Sequence, residues 1–168
     1  DAWVYGAVDP ASGTASMLEL ARVLGELARE GYRPRRTIVF GSWDAEEYTL
    51  TGSTEWGEEH AEFLRQNGVA CLNVDSAASG ADFSVGASPL LRRLLVEATQ
   101  AVEDPQTGAP VYGRWVKSRA EANVRSYLSV VASAASPAIG RLGSGSDYTV
   151  FFNHLGMASL DMSFGGPY

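Results

Sequence analysis

Arg36-Thr37-Ile38-Val39-Phe40-Gly41-Ser42-Trp43 runs directly into Asp44-Ala45-Glu46-Glu47. The first part is a continuous β-rich apolar run, the pattern of a strand buried on both faces. The second part places acidic side chains at that strand's carboxyl end. Two similar junctions lie on either side. Residues 1–8 (DAWVYGAV) read as the end of a strand leading to Asp9, and residues 69–74 (VACLNV) as a second buried strand leading to Asp75. Between these runs the period changes from continuous to helical. Met17, Leu20, Ala21, Leu24, Leu27 and Ala28 form one apolar stripe, so residues 14–30 are expected to be a helix stopped by Gly31. Residues 53–66 are expected to be another, capped by Ser53 or Thr54 and ended by Asn67-Gly68.

Further along, 82–86 is a short strand candidate and 88–103 a helix. Residues 104–118 (DPQTGAPVYGRWVKS) are rich in turn formers and read as an exposed excursion, while 119–136 carries no clear pattern. Residues 146–155 read as a helix after the Gly-Ser-Gly turn and 157–163 as a last strand. Strands alternating with helices indicate one α/β domain over residues 1–168 with a largely parallel sheet. Such sheets bind ligands beyond the carboxyl ends of their strands, which is where Asp9, Asp44, Glu46, Glu47 and Asp75 fall.

Like charges gathered at one rim are costly unless protons or a cation compensate, and carboxylate oxygens suit zinc, manganese, magnesium or calcium. Taken one at a time, such acids equally read as helix caps or solvated loop residues. The bulk numbers narrow the alternatives. A formal net charge of −7 disfavours nucleic acid as a partner. No stretch approaches the roughly 20 apolar residues of a membrane span, and the opening Asp1-Ala2-Trp3 has no signal-peptide pattern. Cys71 is the only cysteine and sits in an apolar run, as an inert core thiol would. Any metal site must therefore use Asp, Glu and His.

The segments Trp3-Val4-Tyr5-Gly6-Ala7-Val8-Asp9-Pro10, Ser42-Trp43-Asp44-Ala45-Glu46-Glu47 and Leu72-Asn73-Val74-Asp75-Ser76 together resemble one family. It is the co-catalytic zinc peptidase family that contains glutamate carboxypeptidase II (prostate-specific membrane antigen), related aminopeptidases and the transferrin receptor. The resemblance extends through Gly52-Ser53-Thr54-Glu55-Trp56, Leu142-Gly143-Ser144-Gly145-Ser146-Asp147 and Phe151-Phe152-Asn153-His154-Leu155-Gly156.

It implies a three-layer α/β sandwich with a mostly parallel central sheet, here truncated at both ends. It implies two zinc ions in the complete domain. Asp9 would bridge them, Glu47 and Asp75 would each bind one, and Glu46 would be the general base acting on a water held between the metals. It implies a cis bond at Asp9-Pro10, the one bond type where cis is inexpensive. Ser144, Gly145 and Ser146 match a substrate-lining segment, and read equally well as a helix-entry turn with Ser146 as cap. Glu55 and Glu58 match a structural calcium position, and read equally well as solvated helix residues.

The family's two histidine ligands match positions before Asp1 and after Tyr168. His60 and His154 match no ligand position and read as structural or surface residues. A donor set of carboxylates alone holds zinc weakly, so partial or no zinc occupancy and little activity are expected of this chain by itself. The arginines of the acid-preferring branch are missing at Val85 and around Leu160-Asp161-Met162-Ser163, so no substrate preference carries over. The resemblance favours a peptide substrate and a secreted, periplasmic or membrane-anchored setting, with no membrane contact by this segment. A receptor-like or other binding module on the same fold is the alternative; retention of Asp9, Glu46, Glu47 and Asp75 together favours an enzyme.

Overall fold

The computed structural model of the chain describes residues 3–125, 137 and 139–166. In order they form α1 (Ala11–Arg29), α2 (Thr51–Glu59), α3 (Ala61–Asn67), β1 (Ala70–Asn73), β2 (Asp82–Ala87), α4 (Arg92–Ala101), α5 (Val111–Arg125) and β3 (Ala158–Gly165). The short 3-10 turn Pro89–Leu91 leads into α4, and the π-helical turn Val150–His154 precedes β3. The fold is α/β as expected, with a small mixed sheet in the order β1-β3-β2. β1 runs parallel to β3 with Asn73 opposite Asp161, and β2 runs antiparallel to it with Val85 opposite Met162.

Alternation along the strands builds the main core. Phe83, Val85 and Ala87 of β2 and Leu160 of β3 face Leu91, Leu95 of α4, and Val111 and Trp115 of α5. Trp115 is completely buried and meets Phe83 edge to face at 5.2 Å. Residues 111–118 are therefore not an exposed excursion. The irregular connection is confined to 104–110, and Val111, Tyr112 and Trp115 supply the apolar face of α5. In the connection before α5, Asp104 Oδ1 accepts from the Gln106 and Thr107 amides while Arg114 joins Asp104 to Asp82. The remainder of 119–136 beyond Arg125 lies outside the described residues.

A second cluster, Leu64, Val150 and Phe151, gathers Trp43, Trp56, Cys71, Leu155 and Met157. Gly57 makes it possible, because a Cβ there would stand 2.6 Å from a Val150 methyl. The helix expected over 53–66 breaks at His60, whose ring stacks on Trp56 at 4.5 Å and whose Nδ1 lies 2.9 Å from the Trp56 carbonyl. Ser53 does not cap it. The N-cap is Leu50, and the buried Ser53 hydroxyl donates back to the Leu50 carbonyl at 3.2 Å. The helix expected over 146–155 is π-helical across Val150–His154, closed by Leu155 N–H donating to Val150 O at 3.1 Å.

Two expected strands are not formed. Residues 3–8 turn into α1 instead: Gly6 adopts φ 60° and its carbonyl accepts from Ala11 N–H at 2.9 Å. Residues 36–43 have the composition of a strand, but no described strand pairs with them, and an apolar run becomes a strand only when neighbours take its N–H and C=O groups. Ile38, Val39 and Phe40 are 46%, 69% and 41% exposed. β1 is likewise not buried on both faces, since Leu72 is exposed while Cys71 and Asn73 point inward. Among the described residues no helix is long and apolar enough to cross a membrane.

Candidate active site

Three chain segments meet at one open cleft of about 430 Å³. Asp9 comes from the turn before α1, Asp44, Glu46 and Glu47 from the loop after 36–43, and Asp75 from the end of β1. Asp147, from the turn before the π-helical segment, adds a sixth carboxyl group. Four of the positions expected from the sequence to carry chemistry, Asp9, Glu46, Glu47 and Asp75, thus line one cavity. Only Asp75 arrives by way of a paired strand. The other junctions reach the cleft as loops.

Close backbone approach holds the loops in place. Gly13 of α1 packs against the main chain of Val74 and Asp75. Gly52 packs beneath the acidic loop, where its N–H donates to Asp44 O at 3.0 Å and a Cβ would stand 2.4 Å from that oxygen. The loop itself is strained. Ala45, Thr49 and Leu50 take φ values of 55°, 67° and 57°, a left-handed region that disfavours side chains. It is closed by Leu50 N–H donating to Glu46 O at 2.8 Å and Thr51 N–H to Ala45 O at 3.2 Å. The Asp9–Pro10 bond is cis, as the sequence led us to expect.

The electrostatics follow from the crowding. Burial pushes the Glu46 carboxyl above its ordinary value, and the charges of Asp75, Asp147, Glu47 and Asp9 push it further. Asp75 is raised by burial, opposed by a hydrogen bond from Ser146, and raised again by the charge of Asp9 and by a hydrogen bond with it. Asp147 is raised by burial, and the neighbouring Ser53 side chain opposes the shift; its Oδ1 is buried with no hydrogen-bond partner among the described residues. A cation in the cleft would relieve these costs.

Ser146 is buried at 4% exposure, and its hydroxyl donates to Asp75 Oδ2 at 2.8 Å rather than capping the following turn. Ser144 and Gly145 are exposed beside it. Glu55 and Glu58 are exposed on α2 and do not line the cleft. His60 belongs to the aromatic cluster and His154 is exposed. Val85 is buried in the main core at 2% exposure. Sequence reasoning gave no role to Asn73, Asp147 or Asp161. The one available signal was Asn73, a polar residue inside the apolar run Val69–Val74.

Carboxylates are suitable donors for zinc or another divalent ion. Among the described residues, however, no group of three or more His, Cys, Asp or Glu is placed closely enough to hold an ion. The cleft therefore offers a partial donor set: the chemistry of its lining fits a metal, and a closed coordination shell is not formed by these residues alone.

Known proteins resemble this chain along nearly its whole length. The profile of Peptidase family M28 matches residues 1–167. The chain is 46% identical over 170 residues to a probable glutamate carboxypeptidase of Arabidopsis thaliana, covering 100% of this chain and 23% of that protein. It is 42% identical over 167 residues to a probable glutamate carboxypeptidase of Zea mays, covering 98% of this chain and 21% of that one. It is 41% identical over 167 residues to Aminopeptidase NAALADL1 of Mus musculus, covering 98% of this chain and 22% of that one. The chain thus spans between a fifth and a quarter of the length of these relatives.

Proposed function

Since the chain belongs to peptidase family M28, we propose that it is part of the catalytic domain of a metal-dependent exopeptidase that hydrolyses a terminal peptide bond. The observation that carries this reading is the convergence of Asp9, Glu46, Glu47 and Asp75, from three separate segments, on one cleft. Asp9, Glu47 and Asp75 are the residues that would hold metal, with Asp9 shared between two zinc ions. Zinc bound there would lower the pKa of a water and polarise the scissile carbonyl. Glu46 does the proton work. Its carboxylate, beside the proposed metal-holding residues, removes a proton from the attacking water and delivers it to the departing amine.

Among the described residues no histidine lines the cleft, and zinc without imidazole or thiolate ligands is held weakly. These 168 residues by themselves are therefore expected to bind zinc loosely. In the complete domain, 36–43 joins the sheet as a further parallel strand, giving the three-layer sandwich that the resemblance implies. The names of the relatives include both carboxypeptidases and an aminopeptidase. The family resemblance favours a protein working outside the cytoplasm.

The test uses the full-length protein. Zinc is added and release of terminal residues from short peptides is followed, with blocked amino or carboxyl ends to separate the two exopeptidase types. Zinc-dependent release that Glu46→Gln reduces by a thousandfold or so is expected, on the order seen when a catalytic group is removed. Peptide binding without any release would assign a binding role to the fold.

A further inference from the structure

Three polar side chains distant in sequence form a directed chain ending on Asp75. Asn73 Nδ2 donates to Asp161 Oδ1 and to Ser146 Oγ, each at 2.9 Å, and Ser146 Oγ donates to Asp75 Oδ2 at 2.8 Å. The sheet sets up the first link, because the parallel pairing of β1 and β3 places Asn73 opposite Asp161. The direction is forced by donor counting. A carboxylate at Asp161 accepts only, so the NH₂ end of the Asn73 amide must face it. The amide's second N–H then points to Ser146, which accepts it and has a single proton left to give. That proton goes to Asp75. With the amide reversed, its carbonyl oxygen would face both Asp161 and Ser146, and the first of these contacts would be repulsive.

We infer that Asn73 and Ser146 are positioning residues that fix the rotation of the Asp75 carboxylate at the cleft, with Asp161 locking the orientation of the Asn73 amide. This rests on the reading of Asp75 as a metal-holding residue. It gives Ser146 a role other than lining the substrate path, consistent with its burial at 4% exposure, and it gives Asp161 a structural use for its charge. Partners that orient metal-binding side chains are worth about 10- to 100-fold in metal affinity or activity.

The test is zinc affinity of the full-length protein, measured by competition with a chromophoric chelator, alongside thermal unfolding and peptide hydrolysis. Ser146→Ala and Asn73→Ala should weaken zinc binding by about 10- to 100-fold, and Ser146→Thr, which keeps a hydroxyl, should restore most of it. Unchanged zinc affinity in Ser146→Ala with only KM raised would overturn the inference and return Ser146 to substrate contact. Asp75→Ala separates the two readings. If it too leaves zinc binding intact, the metal role of Asp75 fails. If it weakens binding while Ser146→Ala does not, only the positioning role fails. Should Ser146→Ala not fold, Asp161→Leu decides, because it keeps about the side chain's volume and removes the acceptor that locks the Asn73 amide. Weaker zinc binding at unchanged unfolding temperature supports the inference, and unchanged binding overturns it.

Discussion

Gly13 in α1 sits directly against the main chain of Asp75: a Cβ at Gly13 would stand 2.1 Å from the Asp75 carbonyl oxygen and 2.3 Å from that of Val74. The helix that follows Asp9 is thereby pressed onto the strand end that carries Asp75, and two of the acidic residues of the cleft are brought to one place by the absence of a side chain.

Substitution by alanine inside a helix ordinarily stabilises it, by about 1 kcal/mol relative to glycine. Gly25, in the same helix, has only the tip of Arg29 at 4.0 Å, so Gly25→Ala should raise stability by about 0.5–1 kcal/mol. Gly13→Ala should have the opposite sign and cost about 1–3 kcal/mol, because the backbone it meets must move. Urea unfolding of both variants checks this, and stabilisation by Gly13→Ala would falsify the packing described for α1.

Trp115 is fully buried, yet its indole N–H has no hydrogen-bond partner among the described residues. Trp115→Ala should cost about 3–5 kcal/mol through the cavity it leaves. Trp115→Phe keeps an aromatic ring against Phe83 and removes a buried donor that is already unsatisfied, so its cost should stay below about 1.5 kcal/mol. Equal losses in the two variants, measured by denaturant unfolding, would show that the indole nitrogen is bonded after all.

Asp104 supplies an acid-sensitive contribution to stability. Its carboxyl is held below the usual aspartate value, first by the Gln106 amide and then, against the cost of burial, by Arg114 and the Thr107 amide. A lowered folded-state value means the unfolded chain binds the proton more readily, so the contribution is present above about pH 4, the unfolded aspartate value. It is lost as pH falls through the folded value. Asp104→Asn should therefore lower the unfolding temperature near neutral pH and flatten its decline as pH falls below about 4 relative to the parent. A decline of the same steepness in both proteins would contradict the assignment.

Cys71 packs against the second cluster, and burial, followed by the charges of Asp147 and Asp161, pushes its thiol up to about 12. At pH 8 the folded chain then presents on the order of one thiolate in ten thousand, against a substantial fraction for an ordinary thiol of pKa about 8.5. Iodoacetamide should leave the native protein unmodified over hours and alkylate it readily in denaturant, with mass spectrometry as the readout. Rapid labelling of the native protein would place the thiol in water.

How much of this was legible depended on how local each signal is. The stripe from Met17 to Ala28 and the short strand candidate at 82–86 are local, and α1 and β2 lie where they indicated. The acids at Asp9, Glu46, Glu47 and Asp75 were marked by the strand-like runs before them, although only the run ending in β1 is paired. What pairs with 36–43 is a question about another segment, so its apolar character was necessary but not sufficient. Trp115 was hidden by Pro110 and Gly113, whose turn signal outweighed a short apolar face. The Asp161, Asn73 and Ser146 chain spans 88 and 73 residues of separation and depends on strand register, which no local pattern reveals. The left-handed residues Ala45, Thr49 and Leu50 carry no glycine to announce them.

Among the described residues β1 lies at the margin of the sheet, bonded to β3 on one side, with Val69 and Leu72 at 61% and 59% exposure beside it. The outer margin of β2 is treated differently, since Gly140 exchanges backbone hydrogen bonds with Val85 and Ala87 there. An open margin with apolar neighbours is a template on which another copy can pair. The net charge of −7 opposes that encounter, and salt screens it. The colloidal behaviour of these 168 residues should thus run against intuition for an acidic protein: clear in dilute buffer, turbid as ionic strength rises, and kept in solution by a charged residue placed at Leu72.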